Sequence, residues 1–203
     1  MTAHINKDSY NKIARQWAES RDTSFVSRLV KEFAGKVKPN GKILDIGCGN
    51  GYPLASYLAE NDFTVTGIDI SEKMLEIALS RNIKNAKFLI SDFFDFRIAD
   101  KFDGILAWDS FFHFPKDKQG TIYPRVAELL NPGGYLLFTH GNEEGEINDE
   151  MMGEQFYYSY LSKERVLQLL KESGFEIQSV YEDFKERDAS KALIILAKKV
   201  FVR

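Results

Sequence analysis

The nine residues ILDIGCGNG at 43–51 constrain this chain more than any other stretch. An apolar run that short, ending in three glycines within five residues, reads as a buried strand that breaks sharply into a helix. Without side chains, the loop can turn tightly, come close to a ligand and present N–H groups at a helix N-terminus. Eighteen residues beyond Gly51, Asp69 closes a second apolar run, VTGIDIS. A loop of this kind with an acid downstream points to a ligand held at the carboxyl edge of a parallel sheet.

The rest of the chain supplies that sheet. Tyr10, Ile13, Ala14 and Trp17 fall at helical spacing, as do Val26, Leu29, Val30 and Phe33, and Pro39-Asn40-Gly41 ends this helical preamble. Apolar strands are then expected at 42–47, 64–70, 86–91, 102–108 and 135–140. Helical patterns separate them: Leu54, Ala55 and Leu58 after Pro53; Met74, Leu75, Ala78 and Leu79 after a Ser71 cap; and Val126 to Leu130 before the turn Asn131-Pro132-Gly133-Gly134. Such alternation implies right-handed crossovers and an α/β fold, a three-layer doubly wound sheet with helices on both faces. The segment 142–160 is acidic, then aromatic, and shows no clean period, so it reads as a loop. A helix at 163–173 follows, between Ser162 and Gly174. Two β-rich runs at 175–184 and 192–202 are too close together for a crossover and should pair antiparallel. Without repeat or linker, residues 1–203 read as one domain.

Composition narrows the partners. Lys plus Arg number 27 against 30 Asp plus Glu, a net charge of -3, so no basic excess awaits a phosphate backbone and nucleic acid is not expected. Cys48 is the sole cysteine, which excludes an internal disulfide and argues against a cysteine metal site. The N-terminus carries no secretory-type apolar run, and no stretch approaches the roughly 20 apolar residues of a membrane span. A cytoplasmic protein, monomeric or homodimeric, is the expectation.

Two cofactors compete for the glycine loop. A dinucleotide such as NAD requires G-x-G-x-x-G, and Tyr52 stands where the third glycine belongs. Asp45-Ile46-Gly47-Cys48-Gly49-Asn50-Gly51 instead resembles the first motif of the class I S-adenosylmethionine-dependent methyltransferases, an acid followed by G-x-G-x-G. The resemblance extends to Asp69 at the end of the second strand, Ser91-Asp92-Phe93 after the third, Phe102-Asp103 through Trp108, and Leu130 to Gly134 before the fifth. It implies a seven-stranded sheet in the order 3-2-1-4-5-7-6 with the last strand antiparallel. It also implies S-adenosyl-L-methionine as cofactor, Asp69 on the ribose hydroxyls, Asp92 on the adenine amino group and Ile70 packed on the adenine. Asp45, Gly47, Cys48, Gly49, Phe93 and Trp108 would complete the cofactor site. Residues 1–35 would form a helical lid, with Tyr10 and Trp17 reaching the cofactor, and 142–160 a substrate loop.

Methyl transfer from a sulfonium needs a base only when the nucleophile carries a tightly held proton. His113, in DSFFHFPKD, and His140, at the end of the fifth strand, fall on the ligand-bearing edge with Asp109, and these are the candidate catalytic groups. Trp108-Asp109-Ser110-Phe111 lacks the N/D-P-P-Y/F signature by which family members methylate bases in nucleic acid. The surrounding aromatics suit an enclosed pocket for a small-molecule methyl acceptor. A protein that binds S-adenosylmethionine without transferring its methyl, or an NAD-dependent oxidoreductase, are the alternatives.

Overall fold

The computed structural model describes residues 2–21, 25–186 and 192–200. Two helices open it, α1 (Thr2–Arg21) and α2 (Arg28–Lys36). Ser27 caps α2 by accepting a hydrogen bond from the Leu29 amide, and the apolar stripe Leu29, Val30, Phe33 and Ala34 is buried. Strands and helices then alternate: β1 (Lys42–Ile46), α3 (Leu54–Glu60), β2 (Thr64–Asp69), α4 (Glu72–Ser80), β3 (Ala86–Ile90), β4 (Phe102–Ala107), α5 (Lys116–Leu129) and β5 (Leu130–His140). Ser71 caps α4 through the Met74 amide, as its position before an apolar-periodic run suggests. A single turn of 3-10 helix, Phe111–His113, joins β4 to α5.

Seven strands form one sheet. β8 (Phe175–Phe184) and β9 (Ala192–Lys199) pair antiparallel, and β9 inserts antiparallel between β5 and β8, giving the order β3-β2-β1-β4-β5-β9-β8. Numbered among the sheet strands alone, this is 3-2-1-4-5-7-6. Burial on both faces explains the unbroken apolar runs, with β4 buried at all of its residues. One face is covered by α5 and α6 (Lys163–Glu172), whose Tyr123, Val126, Val166 and Leu170 meet Phe102, Ile105 and Phe138 of the sheet. The other is covered by α2, α3 and α4 through Phe33, Leu58, Leu75 and Ala78.

The sequence expectations fail in two places. The Asn131 to Gly134 turn is drawn into β5, which starts at Leu130; a register shift between Phe102 and Gly104 and a positive φ of 82° at Gly133 absorb its irregularity. More consequentially, residues 142–160 are not an open loop. They hold a two-stranded hairpin, β6 (Gly145–Met151) and β7 (Glu154–Tyr160), closed by Met152 and Gly153 with φ of 56° and 83°. Two positive φ values are the pattern of a type I′ turn, and methionine at the first hides it from sequence reading. β7 hides too: α1 and the 3-10 turn cover one side, and Gln119 of α5 holds the Ser159 hydroxyl and carbonyl on the other. A strand covered on both sides has no polar alternation to reveal it.

Candidate active site

The carboxyl ends of β1 to β4 open onto a cavity of about 330 Å³, within the size range of small-ligand sites. Its floor is the glycine loop. The Gly47 and Cys48 amides both donate to the Ile68 carbonyl, at 2.8 and 3.1 Å, tying the loop to β2. Gly47 has φ of 72°, and a Cβ added there would lie 2.5 Å from the Ser110 Cβ. At Gly49, φ is 53°, yet the nearest atom to an added Cβ is the Trp17 indole nitrogen at 4.0 Å, so this glycine faces open space. One is glycine because the fold is full, the other because the cavity is not.

Asp69 binds this floor to the next element. One carboxylate oxygen accepts from the Gly49 amide and the other from the Ser71 amide, both at 2.8 Å. Burial pushes its carboxyl up, while those amides hold it down. Asp45, at the end of β1, is 3% exposed, and burial beside Asp69 raises it to about 7. Among the described residues no hydrogen bond lowers it. Asp109 has φ of 55°, a backbone unusual outside glycine, and its amide donates to the Thr139 hydroxyl at 2.7 Å. Burial raises its carboxyl against the pull of Arg21. Three acids thus share a cavity that strips them of water.

The roof is α1. Tyr10 and Trp17 both line the cavity, with ring centroids 5.9 Å apart. The helix is held at both ends of the site by side-chain amides. Asn6 reads β7 as a neighbouring strand would: its oxygen accepts from the Tyr157 amide at 2.8 Å, and its nitrogen donates to the Tyr157 carbonyl at 2.9 Å and the His113 carbonyl at 3.2 Å. Asn11 grips the start of α4 through the Ser71 hydroxyl, the Lys73 amide and Glu72.

His113 stands between roof and hairpin. The Asn6 amide nitrogen is also 3.2 Å from His113 Nδ1, but its two N–H groups have two carbonyls to serve, so we assign the proton to His113 Nδ1, 3.1 Å from the Tyr157 carbonyl. Its Nε2 then accepts from the Tyr10 hydroxyl at 2.8 Å. Burial drives this histidine down to about 4, so the ring is neutral near pH 7, and burial drives the Tyr10 hydroxyl up.

Of the residues singled out from sequence, Tyr10, Trp17, Asp45, Gly47, Cys48, Gly49, Asp69, Ile70, Asp92, Phe93, Trp108, Asp109 and His113 all line this cavity. His140 does not; it is buried behind Tyr160 and hydrogen-bonds the Gly141 carbonyl through Nδ1. Phe93 is mainly core, stacked on Phe114 at 5.5 Å. The Asp92 carboxylate accepts from the Phe94 amide at 2.7 Å, and Asp95 is outside the lining. Cys48 is half-buried, and desolvation pushes its thiol up, the opposite of an activated nucleophile. Sequence reading passed over Asn6, Arg21, Phe25 and Lys118, which also line the cavity. Asn6 and Arg21 had a signal: they continue the Tyr10–Trp17 stripe one turn in each direction, and a polar residue on a buried stripe invites the question of what it binds.

Comparison with known proteins agrees with this geometry. A family model described as a methyltransferase domain matches residues 17–180. An Arabidopsis thaliana protein named "Probable thiol methyltransferase 2" is 31% identical over 180 residues, covering 86% of this chain and 75% of that protein. Phosphoethanolamine N-methyltransferase 2 of Caenorhabditis elegans is 30% identical over 171 residues, 78% of this chain but only 38% of that longer protein. Among solved structures, magnesium protoporphyrin IX methyltransferase of Synechocystis PCC 6803, crystallised with bound SAM, superposes with a TM-score of 0.76 over 98% of this chain and 97% of its own, at 18% identity. That last likeness is one of fold.

Proposed function

The chain belongs to the class I S-adenosylmethionine-dependent methyltransferase family, and from that premise we propose that the cavity holds S-adenosylmethionine and passes its methyl group to a small-molecule acceptor. The observation that carries this is the charge of the cavity. Asp45 is buried and Asp69 and Asp109 are half-buried around it, and each is pushed toward its neutral form. A ligand bearing a sulfonium and an ammonium would restore their charge, whereas the pyrophosphate of a dinucleotide would add anions to them. Gly49 leaves the backbone bare where such a ligand would rest. In this reading Asp69 holds the ribose, Asp92 and Ile70 the adenine, and Asp45 faces the methionine ammonium.

When bound, S-adenosylmethionine supplies an electrophilic methyl with a good leaving group, so the chain's own work is to position, desolvate and move a proton. α1 closes the roof and keeps water out. Tyr10 can accept a proton from the acceptor as its own passes to His113 Nε2, 2.8 Å away. A histidine lowered to about 4 is a weak base, which suits a proton already made acidic by bond formation at the atom that bears it. Asp109, at the same end of the cavity, faces the acceptor. The hairpin β6–β7 backs the acceptor end from outside the lining, since the Tyr157 carbonyl meets both Asn6 and His113. No described helix is long and apolar enough to cross a membrane, and a cytoplasmic location accords with the single cysteine.

A thermal-shift comparison tests the reading. S-adenosylmethionine and S-adenosylhomocysteine at 100 times their dissociation constants stabilise by about 2.7 kcal/mol, raising the midpoint by roughly 5–10 °C. Asp69→Ala should respond weakly, and NAD should leave the wild type unmoved. A shift with NAD alone overturns the assignment.

A further inference from the structure

No residue of the hairpin lines the cofactor cavity, but one face of β7 adjoins it directly, through the cavity residues Tyr10 and His113. Phe156, Tyr158 and Tyr160 alternate along β7 and therefore share a side. Phe156 is sealed against Tyr10, with ring centroids 4.7 Å apart. Tyr158 packs on His113 at 4.8 Å and Phe112 at 5.7 Å, and Tyr160 on Phe112 at 6.0 Å and His140 at 5.8 Å. An aromatic row thus leads from the Tyr10–His113 pair out along the hairpin. Across the ladder, Asp149, Ile147 and Gly145 stand opposite Phe156, Tyr158 and Tyr160 on the same side. Gly145 puts no side chain over Tyr160, and half of the Ile147 surface is exposed.

The groups that flank this row, Asp109, Asp149 and the His140 Nε2, are acceptors. Burial pushes the Tyr158 and Tyr160 hydroxyls up, and the charges of Asp149, on β6, and Asp109, in the cavity wall, add to it. His140 is 1% exposed and gives its Nδ1 proton to the Gly141 carbonyl, so its Nε2 carries a lone pair, and no described residue donates to it. A buried acceptor without a donor is costly unless a ligand supplies one. Aromatic rings flanked by carboxylates attract an organic cation and repel an anion.

Resting on the methyltransferase reading of the adjoining cavity, we propose that the acceptor is an amine, whose nitrogen centre is held among the rings of Phe112, Tyr158 and Tyr160 between Asp109 and Asp149. The nitrogen lone pair forms the N–CH3 bond as the C–S bond breaks, and the bonding pair leaves with sulfur as a neutral thioether. Positive charge moves from sulfur to nitrogen, into surroundings built for a cation. Where the nitrogen bore a hydrogen, that proton then passes to Tyr10 as the tyrosine proton moves to His113. A thiol acceptor would end neutral and gain nothing from the carboxylates.

Isothermal titration with choline and with its neutral isostere 3,3-dimethylbutan-1-ol tests this, in the presence and absence of S-adenosylhomocysteine. Choline should bind about 5-fold more tightly than the alcohol, the size expected of a half-exposed cation–π site. Tyr160→Leu and Asp149→Asn should each lose most of that preference, while Tyr160→Phe, which keeps the ring, should retain it. Equal binding of the two probes overturns the proposal, as does a choline preference that survives Tyr160→Leu and Asp149→Asn alike. If Tyr160→Leu does not fold, the Asp149→Asn and Tyr160→Phe pair decides. S-adenosylhomocysteine that binds while choline shows no preference sinks the amine proposal alone; failure of S-adenosylhomocysteine to bind strikes the methyltransferase reading, and titration without it still reads the aromatic row.

Discussion

The glycine-loop half of the site and the roof-and-hairpin half are built by different means. In the first, backbone does the shaping: Gly47 and Cys48 amides on the Ile68 carbonyl, and the Gly49 amide on Asp69, all within about one strand–helix–strand unit. In the second, side chains reach across the fold. Asn6 and Tyr157 are 151 residues apart, Tyr10 and His113 103, and Gln119 and Ser159 40. The first half could serve any chain that binds the same cofactor, because it recognises parts that never change. On the reading proposed above the second chooses the acceptor, and it rests on contacts that assemble only when the whole chain has folded.

The largest expected effect separates two glycines within the first half. Gly47→Ala must place a side chain at positive φ, costing about 1–2 kcal/mol. It must also push Ser110 away, at roughly 1–3 kcal/mol more. Gly49→Ala carries only the first cost, since its nearest neighbour is 4.0 Å off. Urea denaturation should therefore show a loss of about 4 kcal/mol for the former and about 1–2 kcal/mol for the latter. Binding of S-adenosylhomocysteine should suffer in Gly49→Ala out of proportion to its stability, because that Cβ enters the cavity. Equal losses in stability would mean that the loop is not pinned against Ser110.

These two halves also differ in how far a sequence can reveal them. The strand positions, the glycine loop and Asp69 were legible because local patterns carry them: apolar runs, a glycine spacing and an acid at a strand end; the strand order came only with the family that those motifs resemble. The hairpin was not. β7 is covered on both sides and so lacks alternation, and its turn puts Met152 where asparagine or glycine would announce it. His140 and His113 looked equivalent as histidines at strand ends, yet one faces the cavity and the other is enclosed behind Tyr160. That distinction depends on where β7 lies, which no local pattern encodes. Asn6 was missed because its partner is a backbone 151 residues away, though its place on the Tyr10–Trp17 stripe was visible.

The halves should also titrate with opposite signs. His113 is held down to about 4, whereas in the unfolded chain it protonates near pH 6.5. Between those values the unfolded state binds more protons, so the contribution of His113 to stability is present above pH 6.5 and lost as pH falls toward 4. Asp45 is raised to about 7, so the folded state binds more protons there, and its contribution grows as pH falls below 7. Replacing His113 by Asn removes one of the two. Stability measured by urea at intervals from pH 7.5 to 4.5 should fall less steeply for His113→Asn than for wild type, the curves converging by up to about 3 kcal/mol. Parallel curves would show that the ring is hydrated, and that the roof and hairpin do not enclose it.

Asn6→Ala gives a smaller and more local effect. The change removes the acceptor for the Tyr157 amide and the donor to two carbonyls. Leaving a buried amide unpaired costs about 1–3 kcal/mol, and about 2 kcal/mol of global stability is expected here. The sharper measurement is amide hydrogen exchange. In the variant, Tyr157 and its β7 neighbours should exchange faster, as the helix loses its grip on that strand. Amides of β1 and β2 should keep their wild-type protection, since their partners are each other. Uniform acceleration across both regions would mean that roof, hairpin and sheet open as one unit. Acceleration confined to β7 would show that the acceptor wall can loosen while the cofactor floor stays intact, which is the condition for changing acceptors without rebuilding the fold.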